Sequence, residues 1–190
     1  MEQNKQLFYP ITIAGVKRSL PLCPLSPELS IAALIIFGDC QLTTACAQAL
    51  LDKAPDYDYL ITAEAKGIPL AHEMARLAGR DKYFVARKGT KVYMQNVIEV
   101  EVQSITTQSV QQLYLDGADA AIMQGKRILL VDDVVSTGES IRALEALVTK
   151  AGGIVCGRMA ILAEGEAQKR EDLIYLEPLP LFRADGTPVE

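Results

Sequence analysis

No run of about 18 apolar residues occurs anywhere in this 190-residue chain, so it offers no membrane-spanning helix. The first residues, MEQNKQLFYP, lack the basic-then-apolar order of a secretory leader, and the expectation is a cytoplasmic protein. Basic residues are in the minority: 19 Lys and Arg against 24 Asp and Glu give a net charge of -5. That balance argues against nucleic acid or an anionic membrane as the main partner, since both need a basic face. A local basic patch would still hold a phosphorylated small molecule. Histidine is nearly absent, with His72 alone, and the cysteines Cys23, Cys40, Cys46 and Cys156 form no C-x-x-C pair, which argues against a zinc site. They read as reduced, mostly buried thiols, and with no histidine close to any of them in sequence a cysteine nucleophile is disfavoured. There is no repeat and no low-complexity linker.

What is present is an ordinary globular composition, long enough for one domain (1–190) with a sizeable core. Residues 1–37 read as irregular, punctuated by Pro10, Pro21, Pro24 and Pro27. Apolar spacing over 41–54 predicts an amphipathic helix that Pro55 stops. Strands are expected at 57–63, 83–86, 128–131 and 154–162, and helices at 69–77 and 139–151. Between Lys91 and Leu115 the pattern turns to alternation, with Ile98, Val100 and Val102 facing one way, as in a half-exposed hairpin. Strands alternating with helices imply an α/β fold with a mostly parallel sheet, whose ligands sit at the carboxyl ends of the strands.

Three polar clusters fall at such ends. In "KRILLVDDVVSTGES", Lys126 to Ser140, a buried strand runs into Asp132 and Asp133, then into a small-residue turn that opens a helix. Backbone N–H groups and three hydroxyls there would cradle a phosphate. No Walker A pattern is present. Ordinary N-capping by Ser136 or Thr137 explains the hydroxyls but not two adjacent acids, which need a cation or hydroxyl donors to sit together. The second cluster is "ITAEAKGIPLA", Ile61 to Ala71, with Lys66 beside Gly67. The third is "VARKGTK", Val85 to Lys91, whose cations Arg87, Lys88 and Lys91 suit a diphosphate.

"ILLVDDVVSTGES" resembles the phosphoribosyl-pyrophosphate (PRPP) motif of type I phosphoribosyltransferases. The resemblance covers about residues 37–165. It implies the fold of that family: a central mostly parallel sheet flanked by helices, a core of about 41–165, a small hood from 1–40 and 163–190, and a flap hairpin. It implies that Val135, Ser136, Thr137, Gly138, Glu139 and Ser140 hold the 5′-phosphate. Asp132 and Asp133 would orient the ribose hydroxyls, and through them a magnesium ion. Glu64, Ala65, Lys66 and Gly67, with a cis Glu64–Ala65 peptide, would form the pyrophosphate loop. Arg87, Lys88 and Lys91 would add their charge to it. Asp132, Asp133, Arg87 and Lys66 would thus carry the catalysis. Family members usually dimerise near the pyrophosphate loop, so a homodimer is expected. The apolar Leu70, Met74 and Leu77 of the 69–77 helix are read as a face that one sheet does not fully cover.

The base is read less directly. "IIFGD", Ile35 to Asp39, resembles the hood segment of adenine phosphoribosyltransferases, which makes Ile36, Phe37 and Gly38 candidates for backbone readout; Phe37 as a core residue is the alternative. Val134 would lie against the base. Glu164 stands where six-oxo-purine enzymes place a lysine, and a carboxylate only accepts hydrogen bonds, so it suits a 6-amino group; a solvated loop glutamate is the alternative. In the flap, expected to be loosely ordered without ligand, Thr107-Gln108-Ser109 departs from the adenine enzymes, and "SITTQS" resembles xanthine phosphoribosyltransferases or the purine-repressor effector domain. The expected function is purine salvage, with adenine converted to AMP and pyrophosphate released. Xanthine or hypoxanthine as the base, or a non-catalytic PRPP sensor, are the alternatives. The sensor is disfavoured because about 35 residues precede the core, too few for a DNA-binding winged helix.

Overall fold

The stretch Arg127–Val135 forms the central strand because its aliphatic residues alternate into two separate apolar clusters. Leu129 and Val131 enter one cluster and Ile128 and Leu130 the other, all fully buried. In the computed structural model, residues 6–103 and 110–189 are described. The elements are β1 (Phe8–Ile13), β2 (Val16–Pro24), β3 (Leu29–Ala32), α1 (Cys40–Leu51), β4 (Tyr59–Ala63), α2 (Gly67–Leu77) and β5 (Phe84–Ala86), followed by β6 (Ile98–Gln103), β7 (Val110–Leu115), α3 (Gly117–Met123), β8 (Arg127–Val135), α4 (Glu139–Lys150), β9 (Ile154–Glu164), β10 (Ile174–Leu179) and β11 (Phe182–Arg183). Five strands in the order β10-β9-β8-β4-β5 make an all-parallel sheet. Helices α1 and α2 cover one face, where Leu42, Cys46, Leu50, Leu70 and Met74 pack. Helices α3 and α4 cover the other with Met123, Ile141, Leu144 and Leu147. This is the expected α/β architecture.

Residues 1–37 are not irregular. β1, β2 and β3 join β11 in a four-stranded antiparallel sheet, order β1-β2-β3-β11. Its hairpin turns on Ala14-Gly15, both at positive φ (49 and 78°), the pair a two-residue primed turn requires. The prolines mislead because of where they fall. Pro10 lies on the outer strand β1, and Pro21 sits where β2 passes from pairing with β1 to pairing with β3. Ile13, Leu20, Leu22 and Phe182 bring this sheet into the same apolar cluster as α1 and α2. The strands β10 and β11 and the helix α3, which Asp116 caps by accepting the Ala118 N–H at 2.9 Å, were also unread in the sequence.

The hairpin β6–β7 is present, and its inward Ile98, Val100 and Val102 pack beside α4. Arg87 and Tyr114 exchange two backbone hydrogen bonds, at 2.8 and 2.9 Å, which ties β7 to the end of β5. The expected flap residues Thr107, Gln108 and Ser109 lie outside the described residues. Two further expectations need correction. Leu70 and Met74 are fully buried within the chain, because α1 covers them, so they offer no apolar face to a second subunit. Of the cysteines, only Cys46 is buried; Cys40 is exposed and the other two are half-buried. Among the described residues no helix is long and apolar enough to cross a membrane.

Candidate active site

β8 does not stop at Val131. It runs through both acids, with Asp132 opposite Ala160 and Val135 opposite Ala163 on β9. The carboxylates are therefore held in a strand at the centre of the sheet, and both are buried. Alternation puts Asp133 on the Leu129–Val131 face, under the start of α2. There Lys66 Nζ lies 2.6 Å from Asp133 Oδ2, an ion pair rather than an aligned hydrogen bond. Asp132 Oδ1 accepts the Asp133 N–H at 3.0 Å. Burial, and then the Asp133 charge, push the Asp132 carboxyl well above the usual carboxylate range.

The turn at 64–67 links β4 to α2, and its Glu64–Ala65 peptide is cis, as the resemblance implied. A side chain on Gly67 would run into Thr62 Oγ1 and lie 3.3 Å from Asp132 Oδ1, so only glycine lets α2 start this close to the acids. Glu64 ties this turn to the next loop. Its Oε2 accepts the Lys88 N–H at 2.9 Å, and its Oε1 pairs with Arg87 Nη2 at 3.0 Å. The Lys88 N–H first, then the Arg87 charge, hold the Glu64 carboxyl below its usual range. Arg87 also donates from Nη1 to the Tyr93 hydroxyl at 3.1 Å, while its buried Nε has no partner among the described residues. Lys88 and Lys91 are exposed beside it. The structure thus gathers Glu64, Lys66, Gly67, Arg87 and Lys88 at one end of the sheet, next to the acids.

The 136–140 turn lies at the same end. Ser136 and Thr137 are exposed, and Gly138 adopts φ +77° at the head of α4. Capping is nearly absent here. Thr137 Oγ1 is 3.5 Å from the Glu139 N–H, the outer limit of a hydrogen bond, and Gly138 has no side chain to offer. The helices α1 and α3 are capped by Asp39 and Asp116. α2 and α4, which start at it, have no side-chain cap, and the positive end of a helix dipole suits an anion. The capping alternative for Ser136 and Thr137 therefore explains little.

The residues expected to meet the base do not share one hollow. Glu164, at the end of β9, is buried, and burial raises its carboxyl above the usual range while the Lys66 charge opposes the rise. It lines a cleft of about 560 Å³ with Ser136, Thr137, Glu139, Arg142, Arg170 and apolar residues that include Leu25 and Leu181. Ile36 and Gly38 instead line a hollow of about 190 Å³ with Pro69 and His72. Ile36 has its side chain in the core, and its carbonyl accepts the Asp39 N–H at 3.1 Å. Phe37 is exposed, so the core alternative for it fails. Val134 is half-buried against the α1–α2 side of the core. Asp39, which caps α1, is gripped by Arg18 through two bonds of 2.6 and 2.8 Å. Sequence reasoning missed Arg142 and Arg170; no local pattern marks them, since the fold alone carries them to the 136–140 turn.

Known proteins resemble this chain. The chain is 31% identical over 130 residues to a hypoxanthine/guanine phosphoribosyltransferase of Methanocella paludicola, a match that covers 68% of this chain and 64% of that protein. It is 28% identical over 135 residues to an adenine phosphoribosyltransferase of Petrotoga mobilis, covering 71% and 75%. The match to the Methanocella protein thus spans less than two thirds of that protein's length. Among solved structures, adenine phosphoribosyltransferases from Thermoanaerobacter pseudethanolicus and Rhodothermus marinus superpose with TM-scores of 0.65 and 0.64 at 21% and 22% identity. They cover 90% and 94% of this chain, and 95% and 97% of their own, so the fold is shared nearly end to end. The family profile described as phosphoribosyl transferase domain matches residues 41–177, which span both the 64–67 and the 136–140 turns, and the chain belongs to that family.

Proposed function

We propose that this protein is a purine phosphoribosyltransferase that moves 5-phosphoribosyl from PRPP to a purine nitrogen and releases pyrophosphate, with adenine as the preferred base. The observation that carries this reading is the Lys66–Asp133 contact of 2.6 Å, which joins the cation of one loop to the acid of another strand. Two buried carboxylates share one lysine there, so the pair still calls for hydroxyl donors or a second cation. The ribose hydroxyls of PRPP supply the first. Magnesium, when bound with PRPP, supplies positive charge at the diphosphate, and Asp132 and Asp133 would hold it through the ribose hydroxyls.

In this reading the 5′-phosphate sits on Val135–Ser140 at the head of α4. The diphosphate sits at the head of α2 on Ala65, Lys66 and Gly67, with Arg87, Lys88 and Lys91 around it. As the glycosidic bond breaks, the ribose gains oxocarbenium character and the departing diphosphate gains charge. Lys66 and Arg87 lower the barrier by meeting that charge. Arg87 exchanges its Glu64 partner for the diphosphate, the stronger anion. No covalent nucleophile is needed.

Glu164 supports adenine, because a buried acceptor bonds a 6-amino group and faces a 6-oxo group unfavourably. The likeness to the Methanocella hypoxanthine/guanine enzyme favours a second reading, a six-oxo purine. A cytoplasmic homodimer is proposed from the family resemblance; sedimentation that shows only a 20.7 kDa species at micromolar concentration would refute the dimer. The deciding experiment measures pyrophosphate release from PRPP with adenine, hypoxanthine, guanine, xanthine and orotate in turn. Adenine is expected to be fastest. Release with none of the bases, in a protein that still binds PRPP, would replace catalysis with sensing.

A further inference from the structure

The chain leaves β9 at Glu164, makes a short helical turn at Gly165–Lys169, and arrives at Arg170. Arg170 then points back at the 136–140 turn. A side chain on residue 138 would overlap Arg170 Nη1, so the guanidinium occupies the space that the missing side chain of Gly138 leaves. This placement is fixed rather than incidental. Arg170 Nε and Nη2 fork onto Asp172 at 3.0 and 2.8 Å. Asp172 is also 3.5 Å from Arg158, and Arg158 in turn forks onto Glu145 of α4. The fork uses Nε and Nη2 and leaves Nη1 on the side of Gly138. A lysine could not be aimed in this way, because it has no second edge to anchor.

Two guanidinium groups border the turn. Arg142 and Arg170 line the same cleft, and the Nε of Arg142 is buried without a partner among the described residues. Arg170 is the one of the two whose guanidinium is shown against the turn itself.

We propose that Arg170 is a phosphate-binding residue of this site, donating from Nη1 to the monoester phosphate of a ribose 5-phosphate ligand seated on residues 136–140. The proposal rests on the reading that this turn holds the 5′-phosphate of PRPP. A guanidinium bonds a phosphate dianion through charge-assisted hydrogen bonds, which are about twice as strong as neutral ones. The ligand class selected is therefore the phosphorylated sugar over the free sugar, and the selection is made by a residue outside the motif that binds the rest of it.

The test uses the whole chain and two probes, ribose 5-phosphate for the 136–140 turn and inorganic pyrophosphate for the 64–67 turn, each titrated by calorimetry. Arg170→Gln is expected to weaken ribose 5-phosphate by about ten- to a hundredfold and to leave pyrophosphate unchanged. Arg170→Lys recovers part of that loss. Asp172→Asn loses less than Arg170→Gln, since the cation stays but its fork is gone. In turnover the KM for PRPP rises while kcat and the KM for the base hold. Unchanged ribose 5-phosphate affinity in a wild-type-like Arg170→Gln fold overturns the proposal, and so does an equal loss of both probes, which marks a structural role. A wild-type protein that binds neither ribose 5-phosphate nor PRPP overturns the functional reading itself and this proposal with it.

Discussion

Lys66 and Asp133 stand 67 positions apart in the chain and meet at 2.6 Å, with the lysine half-exposed and the acid almost wholly buried. The contact brings the heads of two loops to one point, so a ligand that bridges them replaces an ion pair already in place. The site is therefore largely set before substrate arrives.

Replacing both acids, Asp132→Asn with Asp133→Asn, should abolish binding of magnesium–PRPP. Calorimetry that finds the wild-type affinity in the double variant would end the ribose role of the pair.

Asp132 should weaken the fold as the pH rises. The Asp132 carboxyl titrates above its unfolded value, so the folded state binds the extra proton and stability falls as pH rises from the unfolded pKa toward the folded one. Asp132→Asn removes that effect. It should melt higher than wild type at pH 8 and close to wild type near pH 4, by thermal unfolding followed by circular dichroism. A gap that is larger at the acid end would mean that Asp132 is stabilised as the anion instead.

Gly67→Ala should cost about 1–3 kcal/mol, because its new methyl group runs into Thr62 Oγ1 in a packed interior. Thr62→Ala clears that atom. The double variant should therefore recover much of the loss in denaturant unfolding, and strict additivity of the two changes would show that they do not meet.

Arg87→Gln should raise the KM for PRPP and weaken pyrophosphate binding by about tenfold or more, with ribose 5-phosphate unaffected. Arg87→Lys should recover little, because a lysine lacks the planar fork that meets a diphosphate through parallel hydrogen bonds while still donating to Tyr93. Equal losses of both ligands would place Arg87 in the framework rather than in the pyrophosphate site.

Glu164→Lys should depress the use of adenine and admit a six-oxo base. An acceptor facing an acceptor costs enough to separate substrates by about 10⁴ in kcat/KM where the site is built for the donor. A wild-type preference for hypoxanthine or guanine over adenine would remove Glu164 from the base site.

The 126–140 stretch was legible because everything in it is local. A strand, two acids, a glycine turn and a helix head follow one another, and Gly138 is needed at φ +77° whatever surrounds it. The 64–67 turn was legible for the same reason. The four-stranded sheet was not. Its strands are largely half-exposed, its prolines read as breaks, and β11 reaches it from the far end of the chain. The apolar face of α2 was legible as apolar but not as covered, since α1 buries it only after both pack on the sheet.

By itself, then, the sequence determined the order of strands and helices from α1 to β9 apart from α3, the acid pair and the two turns that belong to it, because each is written in neighbours a few residues apart. Only the tertiary structure decided that Lys66 rests on Asp133, that Gly67 has no room for a side chain, and that Glu164 and Arg170 come round to the 136–140 turn while Ile36 and Gly38 face another hollow. Those facts follow from which strand lies beside which. Strand pairing between β8, β4 and β9 joins residues far apart in the chain, and a local pattern carries no record of it.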